Sequence, residues 1–172
     1  MSRMQLAKLC AGLLALVLVI GCSGADPNLI PEKSAPLGDN LRSGMTYEAI
    51  KNLDSLKGCT WTVREVERFG PTDNPKIPER VRTDASTDSC SHLGILGRMT
   101  LGFANDRLMV VEFTPDDAAA YVSALERELD RHVEVDKAYE LEDGVILRVL
   151  DKNGKRVAIW QDGDLVAYFL SG

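Results

Sequence analysis

The chain has 172 residues, with 20 basic against 26 acidic side chains and a net charge of −6. An acidic balance argues against nucleic acid as a partner and against electrostatic binding to anionic lipid. Two histidines leave little material for a metal centre, and four cysteines are few enough to assign one by one.

Arg3 and Lys8 form a short basic flank, and Leu9 to Ile20 is apolar apart from Gly12. About a dozen apolar residues are too few to cross a bilayer core of roughly 30 Å as a helix, which takes ~20. The length suits the apolar region of an export signal. Val19-Ile20-Gly21-Cys22 then resembles the lipobox of bacterial lipoproteins. That resemblance implies a signal peptide over 1–21, cleavage before Cys22, and diacylglycerol on its sulfur. Ser23 in the next position resembles the outer-membrane-directed members, so the implied location is the outer membrane with the domain facing the periplasm. Two or more acyl chains give stable anchoring. The alternative is an ordinary secreted protein in which Cys22 is incidental. Removing 1–21 takes away Arg3 and Lys8 and no acid, which leaves 18 basic against 26 acidic residues and a net charge of −8.

Residues 22–43 carry turn formers and no periodicity, with Leu29, Ile30 and Leu37 the only large apolar side chains before Leu41. They are expected to form a flexible tether. A single α+β domain is expected over 44–172. Thr46 is placed to cap a helix, with Met45 and Ile50 as a hydrophobic staple around it. Ala49, Ile50, Leu53 and Leu56 recur at helical spacing, which predicts a helix over 47–57.

Trp61, Thr62, Val63 and Val66 favour a strand, whereas the 63, 66 spacing also fits a helical turn. The reading adopted is a bulged strand. Pro71, Pro75 and Pro78 among Asp, Ser and Thr predict a long loop over 70–97. Met99, Leu101 and Phe103 alternate up to Asn105-Asp106, and 107–113 is apolar again, which predicts a hairpin. Thr114-Pro115-Asp116-Asp117 reads as a helix start with Thr114 as cap. The apolar stripe of Ala118, Tyr121, Val122, Leu125 and Leu129 carries that helix to about Arg131. Asp143-Gly144, Asn153-Gly154 and Asp162-Gly163 predict turns in a C-terminal meander with strands over 145–150, 157–160 and 165–170. The expected fold is therefore two helices packed on one face of an antiparallel β-sheet made of the hairpin and the meander.

Leu41-Arg42-Ser43-Gly44-Met45-Thr46 and Ile50 resemble the opening of the BamE-like (SmpA/OmlA) outer-membrane lipoproteins, and the β-lactamase-inhibitor-protein-like fold opens similarly. Those are small α+β domains that act by protein–protein contact. The resemblance covers about ten residues. It implies a non-catalytic structural, assembly or interaction partner anchored to a membrane. The alternatives are a small-ligand-binding or enzyme-inhibitor module and, last, a hydrolase.

Cys10 leaves with the signal and Cys22 takes the lipid, which leaves Cys59 and Cys90 to pair in an oxidising compartment. Cys90 and His92 also form a Cys-x-His fragment, but structural zinc takes four ligands, so no metal and no cofactor are expected. Asp151, Asn153 and Gly154 echo the opening of a calcium loop and are explained by a hairpin turn. Asp73, Asp84 and Asp88 read as solvated acids, and His132 as a cation near a helix C-terminus. The disulfide would pin the 70–97 loop, and Pro71, Asp73, Pro75, Ile77 and Arg80 are then the expected contact residues for a partner.

Overall fold

The structure, a computed structural model, describes residues 34–70 and 79–170. It is dominated by one sheet. Strands β1 (Thr62–Phe69), β2 (Arg80–His92), β3 (Ile95–Ala104), β4 (Arg107–Pro115), β5 (Lys137–Glu140), β6 (Val145–Lys152) and β7 (Lys155–Asp162) pair antiparallel in the order β1-β2-β3-β4-β7-β6-β5. Three short helices accompany them: α1 (Tyr47–Lys51), α2 (Ala118–Leu129) and α3 (Gly163–Leu170). The expected pair of helices on one face is thus corrected. A seven-stranded sheet carries the arm 34–43, α1 and α2 on its inner face, and α3 on its outer face.

Two elements account for the difference. The expected loop over 70–97 contains β2, a 13-residue strand that joins β1 to β3. Its inward positions Thr83, Ala85, Thr87, Cys90 and His92 alternate with outward Arg82, Asp84 and Ser86, and a bulge lies between Thr87 and Cys90. Small and polar inward residues give period-2 geometry without a period-2 hydropathy signal. The expected strand over 165–170 is α3 instead. Strand β7 already has β4 on one side and β6 on the other. A following strand finds no free edge on β7, and the chain turns onto the outer face as a helix. Asp162, read in the sequence as a hairpin turn, caps it: its Oδ1 accepts the backbone N–H of Asp164 at 2.9 Å and of Leu165 at 3.1 Å.

Other elements fall where the sequence placed them, with altered ends. β1 is a strand with a bulge between Glu65 and Glu67. α1 starts at the expected cap, Thr46, whose hydroxyl accepts Ala49 N–H. It stops at Lys51, where Asn52 turns its side chain back to the Glu48 carbonyl. From there the chain continues in i→i+3 turns through Leu53, Leu56 and Cys59, because Asn, Asp and Ser compete with the backbone for its own hydrogen bonds. The cap of α2 is Asp117, not Thr114; Thr114 and Pro115 instead close β4 against Arg98 and Gly97. Gly97 has no space for a side chain, since a Cβ there would collide with the Thr114 carbonyl and the Phe113 ring. The hairpins β3–β4 and β6–β7 turn at Asn105-Asp106 and Asn153-Gly154, all four with positive φ, as right-twisted two-residue turns require.

Residues 34–43 belong to the folded domain and not to a tether. Ala35, Leu37 and Leu41 are buried, and the segment closes on itself through Leu37 N–H to the Leu41 carbonyl (2.9 Å) and Ser43 N–H to the Ala35 carbonyl (2.8 Å). The remainder of the expected tether, 22–33, and the signal lie outside the described residues.

The main core lies between the inner face and these elements. Met99, Leu101, Phe103, Val111, Phe113, Leu147 and Val149 face Tyr121 and Leu125 of α2 and Ile50 of α1. A smaller cluster, Ala104, Met109, Leu165 and Phe169, seats α3 on the outer face. Leu125 is fully buried, so Leu125→Ala is expected to cost about 3 kcal/mol. Glu128→Ala on the exposed side of α2 should stay within about 0.5 kcal/mol of the parent. Urea unfolding with an unchanged denaturant slope checks both. Equal effects would contradict this seating of α2.

Candidate functional site

Three places carry chemistry: the cysteine pair, a buried histidine, and the uncovered part of the outer sheet face.

Cys59 follows the turns after α1, and Cys90 lies just past the β2 bulge. Their Cα atoms are 5.5 Å apart, in disulfide geometry, as the cysteine count led one to expect. The bridge spans 31 positions and ties the α1 segment to β2. Loop-closure entropy for that span is about 3–4 kcal/mol. Replacing both cysteines with alanine should lower the unfolding free energy of the oxidised protein by up to that amount, and should leave the reduced protein nearly unchanged.

His92 lies two residues beyond Cys90 on the same inward side. Its side chain is fully buried. Nδ1 is 2.8 Å from the Tyr121 hydroxyl, and the rings of Phe113, Tyr121 and Trp160 surround the imidazole at centroid distances of 5.3, 5.8 and 6.1 Å. Gly38 of the arm closes the remaining side. It has φ +86°, and a Cβ there would sit 2.8 Å from the ring. Burial pushes the imidazole down to about 4, against the weaker opposing pull of the Asp39 charge and the Leu37 and Gly38 backbone. Burial likewise pushes the Tyr121 hydroxyl up. His92 is therefore a neutral core residue. Among the described residues no group of three or more His, Cys, Asp or Glu converges on a point.

The unfolded chain binds a proton at His92 near pH 6.5, and the folded chain binds it near 4. Between those values the unfolded state holds more protons, so stability falls as pH drops through that window, by about 3 kcal/mol in full. Urea midpoints measured from pH 7 to pH 4 should decline in the parent. The decline should be shallower in His92→Phe.

Among the described residues, α3 covers the outer face only in part. Away from it, Thr62, Arg64, Asp84, Ser86, Asp88, Arg98 and Thr100 line a groove of about 450 Å³ across β1, β2 and β3. Asp88 and Arg98 continue into a second groove of about 600 Å³ that reaches Glu112, Thr114 and the Lys152–Arg156 turn. The charges are interleaved: Arg98 Nε donates to Asp88 at 2.9 Å and Arg82 Nε to Asp84 at 3.2 Å. At the rim, β1 is an edge strand with Val63 and Val66 exposed at 47% and 43%. The charged groups of this groove are thus held in ion pairs on the sheet face.

The expected contact residues fall differently. Pro71, Asp73, Pro75 and Ile77 lie outside the described residues. Arg80 is 3% exposed, with its guanidinium over the Tyr168 ring at 5.1 Å, so it is a packed residue and not a contact. Asp84, expected as a solvated loop acid, is buried within β2, while Asp88 is exposed at the groove. His132 is exposed and pairs with Glu126, whose carboxylate also accepts Val133 N–H and is held below its usual range by that bond first. Asp151 and Asn153 form the β6–β7 turn region, where Asp151 pairs with Arg156 at 2.7 Å. Arg64, Arg98, Thr100 and Glu112 were missed. Their signal was the polar partner set in each alternating strand, which marks a solvent side without saying that several strands share it.

Neither the protein-family models nor the curated proteins and solved structures give a match to this chain.

Proposed function

We propose that this chain is a lipid-anchored lipoprotein of the cell envelope that acts without catalysis, as a structural, assembly or interaction partner of another protein. The observation that carries the reading is Val19-Ile20-Gly21-Cys22 at the end of the apolar run Leu9–Ile20. Disulfide geometry at Cys59 and Cys90 supports an oxidising compartment on the far side of a membrane. The likeness of Leu41–Ile50 to BamE-like lipoproteins supports a partner role, and the periplasmic side of an outer membrane is the location proposed with it. The contact surface proposed is the groove of Arg64, Asp88, Arg98, Thr100 and Glu112 with the β1 edge. It replaces the 71–80 segment expected from sequence.

Cys22→Ser should abolish palmitate labelling and stop signal cleavage. Labelling that persists in the mutant would remove the anchor from this reading. In intact cells, a photo-crosslinking residue at Thr100 should capture a protein partner, and one at Ser123 on the exposed side of α2 should not. Equal capture at both would remove the surface.

A further inference from the structure

We propose that residues 34–43 form an acid-released strap, held shut by neutral His92 and opened when that imidazole takes up a proton.

The strap is attached in an unusual way for a buried segment. The backbone hydrogen bonds that order it join its own residues: Leu37 to Leu41, Leu41 to Gly38, Ser43 to Ala35. The first backbone bonds to the sheet come just after it, from Gly44 N–H to the Leu108 carbonyl and from Leu108 N–H to the Met45 carbonyl. What holds 34–43 down is apolar burial of Ala35, Leu37 and Leu41, with Gly38 pressed onto the His92 ring and the Trp160 indole and the Leu37 and Gly38 backbone turned to the imidazole. A segment held by side-chain burial and not by a ladder can open without taking the sheet with it.

The histidine side of the contact cannot yield instead. β2 is paired with β3 through Cys90–His92, and Cys90, two residues from His92, is pinned to Cys59. Tyr121, Phe113 and Trp160 close the ring from α2, β4 and β7. A protonated imidazole needs water or an anion beside it, and Gly38 occupies the one side where a loop can leave. The titratable side chains that face this place are few. Asp39 on the strap and Tyr121 on α2 face the ring. Glu128 and Arg131 at the end of α2, and Glu142 before β6, line the cleft shared by Gly38, Asp39 and Trp160. Asp39 is exposed and its charge favours the protonated ring, though less than burial opposes it.

Opening would uncover the apolar seat of Leu37 and Leu41. It would also add up to about 33 Å of reach between the sheet and whatever precedes residue 34. The strap stands apart from lipidation at Cys22, and its test does not use it.

Hydrogen exchange of the full mature chain, corrected for intrinsic rates from pH 7 to pH 3.5, reads the strap directly. Peptides over 34–43 should lose protection with a midpoint matching His92 titration by NMR, while 95–115 in β3 and β4 stays protected. His92→Phe should abolish the transition. The proposal fails if strap and β3–β4 open together, or if the strap opens alike in His92→Phe.

Discussion

Burial of the inner face of the β3–β4 hairpin is the constraint on which the other elements depend. Met99, Leu101, Phe103, Val111 and Phe113 are all at most 2% exposed, and they are contributed by two adjacent strands with one short turn. A two-stranded ribbon cannot hide that stripe alone. It needs β2 and β7 alongside, and a layer above. The layer is assembled from unlike pieces: the 12-residue α2, the five-residue α1 with its trailing turns, and the arm 34–43. Because α1 is so short, the arm is needed to complete the cover. Ala35 and Leu37 therefore reach 0% exposure in a stretch whose composition reads as linker.

The same construction leaves the outer face partly free. α3 covers Ala104 and Met109, while the surface over β1–β3 keeps paired charges in water. Surface ion pairs of this kind contribute little to stability, at most about 1 kcal/mol each. Under the proposed partner role, their value would lie in specificity toward a complementary surface. The exposed β1 edge is broken by a bulge and carries Arg64, Glu65, Glu67 and Arg68, features that discourage indiscriminate strand pairing. An edge protected in that way beside an open polar groove fits a domain that meets a chosen partner.

His92 links the arm to the sheet and to α2. It sits where the arm, α2 and β7 meet, close to the Cys90 bridge. A polar ring in that position makes the closing of the inner layer depend on protonation. An aliphatic side chain would have packed there without that dependence.

The sequence by itself determined the local events. The Thr46 cap, the β3–β4 and β6–β7 turns, the buried stripe of α2 and the pairing of Cys59 with Cys90 all follow from residues near in sequence or from counting. The proposed export signal and lipidation of Cys22 also rest on purely local patterns. Tertiary structure alone decided the rest. β2 exists because β1 and β3 supply partners for a strand whose inward residues are Thr, Ala, Cys and His, too small and polar to announce themselves. α3 is a helix because β7 has no free edge to offer, although Asp162-Gly163 reads like the other turns. The arm is buried because α1 stops early. In each case the deciding term is which surface remains unpaired after distant strands have met, and no window of neighbouring residues contains that quantity.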